Sequence, residues 1–164
     1  MNITKHLLTL AMAALGLAAS AQGILAGGQV SGNIQLDGQI SRADSLIGSI
    51  DKPEKLLLNA RADVLYTNGN FSAGLRFEAY QNPLLGFADQ WKGQGIANYF
   101  VAYNGEKLSV TAGHFYEQFG NGMILRAYED RYLGMDNALQ GMNIKVRPVE
   151  GITLKGLIGR QRMY

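Results

Sequence analysis

Residues 28–40 read GQVSGNIQLDGQI, and their polarity switches at almost every step. Val30, Ile34, Leu36 and Ile40 share one parity, with Gly32 and Gly38 between them; Ser31, Asn33, Gln35, Asp37 and Gln39 share the other. A period of two puts successive side chains on opposite faces, so the segment can satisfy itself only as a strand with one apolar and one polar face. Strands of globular proteins run to roughly 5–6 residues. This one is longer and suits a tilted membrane strand of about 9–11 residues.

The pattern repeats along the chain. KLLLNARADVLYT (55–67) puts Leu56, Leu58, Ala60, Ala62, Val64 and Tyr66 on one side and Asn59, Arg61 and Asp63 on the other, with Leu57 and Leu65 as exceptions. Asn68-Gly69 predicts a type I′ hairpin turn, whose two central residues need positive φ. The returning strand carries Phe71, Ala73, Leu75, Phe77 and Ala79 on the apolar face and Arg76 and Glu78 on the charged one. That turn predicts Tyr66 opposite Phe71 and Arg61 opposite Arg76, leaving Asp63 and Glu78 as diagonal neighbours within reach. Further strands are predicted at 96–103, 106–116 (after Asn104-Gly105), 141–148 and 152–162, seven in all.

Between these strands the connections alternate. Residues 41–54, 82–95 and 117–140 form long ones, whereas the intervening turns are short. Short turns on one rim and long loops on the other are the layout of outer-membrane barrels. Tyr66, Phe71 and Tyr103 lie beside the short turns, where an aromatic girdle belongs. The expected fold is therefore all-β, an antiparallel up-and-down transmembrane β-barrel or the N-terminal part of one. A soluble sheet with its charges in water is the competing arrangement.

The amino terminus supports export. Lys5 and His6, the apolar run Leu7–Ala18 and the small residues Ala19-Ser20-Ala21 read as a signal peptide cut after Ala21. The apolar run falls short of the ~20 residues a spanning helix needs. Residues 22–164 would then form one barrel domain. Cysteine is absent, so no disulfide holds the chain. Removal of Lys5 lowers the net charge from +2 to +1, too balanced for a nucleic-acid partner.

Candidate site residues follow from parity and composition. Arg61, Asp63, Arg76, Glu78, Lys145 and Arg147 are the candidates for a polar, mixed-charge lumen. The third long connection gathers Arg126, Glu129, Asp130, Arg131 and Asp136, which suit either a loop folded into the barrel as a constriction or a surface loop with local ion pairs. His114 and Glu117 are spaced i, i+3, but no third ligand accompanies them, and no metal or other cofactor is expected. No nucleophile motif is present, and no enzymatic activity is expected.

Arg160, Arg162 and Tyr164 share one parity, which is poor for a strand closing a barrel against lipid. Single-chain bacterial barrels have an even number of strands. The chain is thus expected to be the N-terminal part of a longer barrel, or else a complete eight-stranded one with an extra strand at 122–128. The stretch GHFYEQFGNGMILRAYEDRYLGMDNALQGMNIKVRP, after GGQVSGNIQLDGQ, resembles an uncharacterised family of Bacteroidota outer-membrane β-barrel proteins. The resemblance implies an outer-membrane location and a longer parent chain, and brings no activity or catalytic residues. A porin-like passive channel for small solutes, bounded by outer-membrane lipid, is the expected function. The alternatives are a plugged barrel that acts through its loops and a soluble exported β-protein that binds an apolar ligand.

Overall fold

Successive long strands of the chain lie side by side. A computed structural model of the protein describes residues 27–42, 46, 48, 55–85, 91–131 and 133–162. The signal-peptide segment and Tyr164 lie outside the described residues. The strands are β1 (Gln29–Ile40), β2 (Leu56–Asn68), β3 (Phe71–Asn82), β4 (Gly93–Asn104), β5 (Leu108–Phe115), β6 (Glu129–Asp130), β7 (Met135–Asp136), β8 (Leu139–Val146) and β9 (Leu154–Gln161). Seven of them form one antiparallel sheet in the order β1-β2-β3-β4-β5-β8-β9, while β6 and β7 pair only with each other. The sheet is thus an up-and-down meander, as the alternation predicts. No strand forms at 122–128, where a single bridge links Gln118 and Arg126.

The first hairpin corrects the predicted register. Asn68 pairs with Phe71, so Gly69 and Asn70 form the turn. Gly69 has φ 55°, and among the described residues no non-glycine residue has positive φ. A glycine with positive φ at the first turn position alone is the pattern of a type II′ turn, not I′. The register therefore sets Arg61 opposite Glu78 and Asp63 opposite Arg76. Opposite charges now face each other directly, which removes the like-charge pair the other turn would have created.

The polarity of the sheet is inside out relative to a soluble domain. Val30, Ile34, Leu36, Val64, Phe71, Leu75, Ile96, Val101, Tyr103, Leu108, Met142 and Ile158 lie on one face and are all exposed. Ile34 is 65% exposed, Ile40 72% and Ile158 75%. The other face carries Gln35, Asn59, Arg61, Asp63, Arg76, Glu78, Asn98, Asn143 and Lys145 and is covered. Among the described residues seven polar or charged ones are buried against six hydrophobic ones, the reverse of the usual composition of an interior.

The cover is the connection from β5 to β8, residues 116–138, here called the strap. It consists of two small hairpins in tandem. In the first, the Phe119 N–H donates to the Leu125 carbonyl at 3.0 Å and the Ala127 N–H to the Glu117 carbonyl at 2.9 Å. In the second, β6 pairs with β7. Ala127 is buried against Phe115 and Leu139, with Leu125 and Leu157 packed around them. The strap reaches β1 through Arg131, whose Nη1 donates to Gln35 Oε1 at 2.7 Å, and β9 through Lys155, whose Nζ donates to Glu117 Oε1 at 3.0 Å.

To meet both edges of the sheet the strap needs a wall that curls around it. Gly74, Phe100, Gly113, Gly141 and Gly159 pair in one line across β3, β4, β5, β8 and β9 on the covered face. Side chains at Gly113, whose φ is 106°, or at Gly141 would collide with the backbone of β4 or β9 respectively. A line of glycines on the inner face is where a sheet bends sharply.

Candidate functional site

The covered face owes its chemistry to strand parity. Arg61 and Asp63 on β2, and Arg76 and Glu78 on β3, all project inward because each pair is two residues apart. Onto them the strap lowers Glu129. Arg76 grips its carboxylate with Nη1 to Oε1 at 3.0 Å and Nη2 to Oε2 at 3.1 Å. Arg61 Nη1 donates to Oε1 at 2.9 Å, and Arg131 Nε adds a longer bond at 3.3 Å. Behind the arginines, Asp63 accepts from Arg61 at 2.6 Å and 3.1 Å and from Arg76 at 3.0 Å. Glu78 lies farther from Arg76, at 3.8 Å.

A second contact lies near the C-terminal end of the strap. Asp136, only 5% exposed, accepts from Arg162 Nη1 at 3.0 Å, the Tyr116 hydroxyl at 3.0 Å and the Ala138 N–H at 3.1 Å. Burial pushes the Tyr116 hydroxyl up, as do the neighbouring Asp136 and Glu129 carboxylates, so it stays protonated and donates. Arg162 also donates to the Ala97 carbonyl on β4 at 3.0 Å. Parity alone groups Arg162 with the outward Arg160, but the chain leaves β9 at Gln161 and turns its guanidinium inward.

The third contact fastens the start of the strap. Glu117 accepts from Lys145 at 2.8 Å and Lys155 at 3.0 Å, from Asn143 Nδ2 at 2.9 Å and from the Gln118 N–H at 3.2 Å. Burial pushes its carboxyl up, but the hydrogen bonds from Lys145, Asn143, Lys155 and Gln118 together outweigh that and hold it at about 2. It is thus a fixed anion at neutral pH. His114, its i, i+3 neighbour, sits on the apolar face with its ring edge-on to Tyr99 at 4.8 Å, so the two do not converge.

Of the residues singled out from the sequence, Arg61, Asp63, Arg76, Glu78, Glu129 and Asp136 come together, with Arg131 at their edge. Lys145 lies on the same face but pairs with Glu117. Arg147 lies beyond β8, exposed beside a short turn, where it donates to the Glu106 carbonyl at 3.2 Å. Arg126 stacks over Tyr128 at 4.6 Å, and Asp130 accepts the Leu133 N–H at 3.2 Å within the strap itself. Sequence reasoning missed Glu117, Lys155 and Arg162 as members of the network. Only Lys155 carried a signal, since it alternates with the outward Leu154 and Ile158.

Beside Glu129 lies a cleft of about 470 Å³, lined among others by Gln35, Asn59, Arg61, Tyr80, Trp91 and Arg131. Tyr80 and Trp91 meet edge to face at 5.7 Å. Amides, guanidiniums and aromatic rings suit the binding of a small polar molecule. Among the described residues no group of three or more His, Cys, Asp or Glu is placed to hold a metal.

Fold and site together define an all-β protein built as an antiparallel meander, with a charged inner wall bridged by its own strap. The chain matches the Family of unknown function (DUF6029) over residues 2–164 and belongs to that family. No curated protein matches it. Membership in a family without an assigned activity agrees with the uncharacterised character of the family that the sequence resembles.

Proposed function

We propose that the chain is an outer-membrane β-barrel protein, or the N-terminal part of one, through which small solutes pass beside the strap. The observation that carries this reading is the inverted sheet. A contiguous apolar face made of residues such as Ile34, Leu36, Ile40, Ile96 and Ile158 stands exposed while a charged face is covered. Each such side chain left in water forfeits about 1.5–3 kcal/mol of burial, and a patch of this extent is not one that soluble monomers show. Lipid is the solvent that reverses the sign. Long connections, between β1 and β2, β3 and β4, and β5 and β8, alternate along the meander with short turns, the arrangement of extracellular loops and periplasmic turns. Phe71 faces Tyr103 directly beside those short turns, where a girdle would stand.

In this reading the strap is an extracellular loop folded inward, and the mixed charges around it leave a hydrated, weakly selective passage. One observation favours a more closed variant, the plugged barrel: the strap touches both β1 and β9 and spans the whole wall. Migration of the outer-membrane fraction on gels, unheated and boiled, tests the barrel, with faster migration expected before heating. Planar-bilayer recording then separates the two forms, since a steady open conductance excludes a full plug. Recovery in the soluble fraction without a heat shift would overturn the membrane reading in favour of a soluble β-protein.

A further inference from the structure

Glu129 occupies a position a solute could take. Arg76 holds it with both ends of its guanidinium, and Arg61 adds a third N–H at 2.9 Å. What aims these donors is Asp63, which binds the far sides of both guanidiniums. The wall therefore sets the two forks by itself, from β2 and β3, whether or not the strap is seated. Both arginines are well screened from water, with side chains 16% and 12% exposed. A planar fork matches a carboxylate in shape as well as in charge, which an ammonium does not. The cleft of about 470 Å³, lined by Arg61 and Glu129 among others, is in the ordinary size range for a small-molecule site, and it gives access to the Arg61 donor beside Glu129.

We propose that Arg61 and Arg76 form a carboxylate-binding site on the inner wall, occupied in this structure by Glu129, and that carboxylate solutes compete with the strap for it. The placement of that site in a pore rests on the barrel reading; the site itself does not. Asp63 and Glu78 offset the charge of the two arginines, so fork geometry rather than net field selects the ligand. Chloride, a single sphere with no pair of oxygens to match the fork, is a weak competitor. Glu129 is tethered and present at high effective concentration, so it suppresses solute binding until it is removed.

The test uses the refolded full chain in detergent micelles and the fluorescence of its single tryptophan, Trp91, which lines the cleft. Succinate is titrated at constant ionic strength. Glu129→Ala is expected to show a saturable change with a midpoint at least about tenfold below that of the unaltered protein. Glu129→Gln, which keeps the shape and removes the charge, should fall between them. Adding Arg76→Lys to Glu129→Ala should return the midpoint upward by about tenfold, because the charge remains and the two-pronged fork is lost. The proposal is overturned if Glu129→Ala titrates like the unaltered protein, if it does not titrate at all, if Arg76→Lys leaves its midpoint in place, or if chloride acts as strongly as succinate. Loss of the heat-dependent gel shift would instead count against the barrel and leave the titration to judge the site.

Discussion

Two carboxylates, Glu117 and Glu129, fasten the strap to the wall, yet their burial is opposite. At Glu117 the acid is 7% exposed while its partners Lys145 and Lys155 are 31% and 34% exposed. At Glu129 the acid is 22% exposed while Arg61 and Arg76 are 16% and 12% exposed. The first is a buried anion reached by flexible, hydrated point charges; the second is an accessible anion seated among rigid, sheltered guanidiniums. The first arrangement anchors, because the acid has nowhere else to go. The second clasps, because Asp63 holds both arginines in place from behind without occupying the donors that reach Glu129.

This asymmetry orders what mutation should do. The largest effect belongs to Lys145→Ala with Lys155→Ala, which strands Glu117; breaking a buried pair by removing its partners costs about 3–5 kcal/mol. The urea midpoint of the refolded protein in micelles reads it, and an unchanged midpoint would mean that Glu117 finds water. Next comes Glu117→Gln, which keeps the shape but weakens hydrogen bonds to a charged group, for a loss of about 1.5–3 kcal/mol.

The pH dependence at the same anchor has a definite sign. The folded carboxyl lies at about 2, below the ordinary 4.5. Its contribution is fully present above about pH 4.5 and is lost as pH falls towards 2. Unfolding midpoints measured across that window should drop for the unaltered protein and flatten for Glu117→Gln. The smallest effect is expected at Arg131→Ala, whose side chain is 40% exposed; a surface pair of this kind contributes about 0–1 kcal/mol. A loss much larger than that at Arg131 would show that the clasp depends on the strap's own arginine rather than on the wall.

Much of the wall was legible because period-two alternation is local. The faces of β1, β2 and β3 follow from residue parity alone, and Arg61, Asp63, Arg76 and Glu78 could be grouped without any knowledge of the turn. The register could not be read from Asn68-Gly69, since the same dipeptide serves a turn beginning at either residue; Gly69 took the first position and brought opposite charges face to face. The strap was less legible still. Its hairpins are too short to show a period, so Glu129 and Asp136 stood out by charge while their partners did not. Glu117 and Arg162 lie just past strand ends, where parity no longer tells which way a side chain turns.

The sequence distances inside the clasp carry a consequence for how the molecule is made. Neighbouring strands of the wall are mostly consecutive in the chain and can be added hairpin by hairpin, but Glu129 is 68 residues from Arg61 and 53 from Arg76. Contacts that close long loops form late, after the local pairings that make closure worth its entropy. The wall therefore assembles first, with its guanidiniums already braced by Asp63, and the strap is drawn across it afterwards.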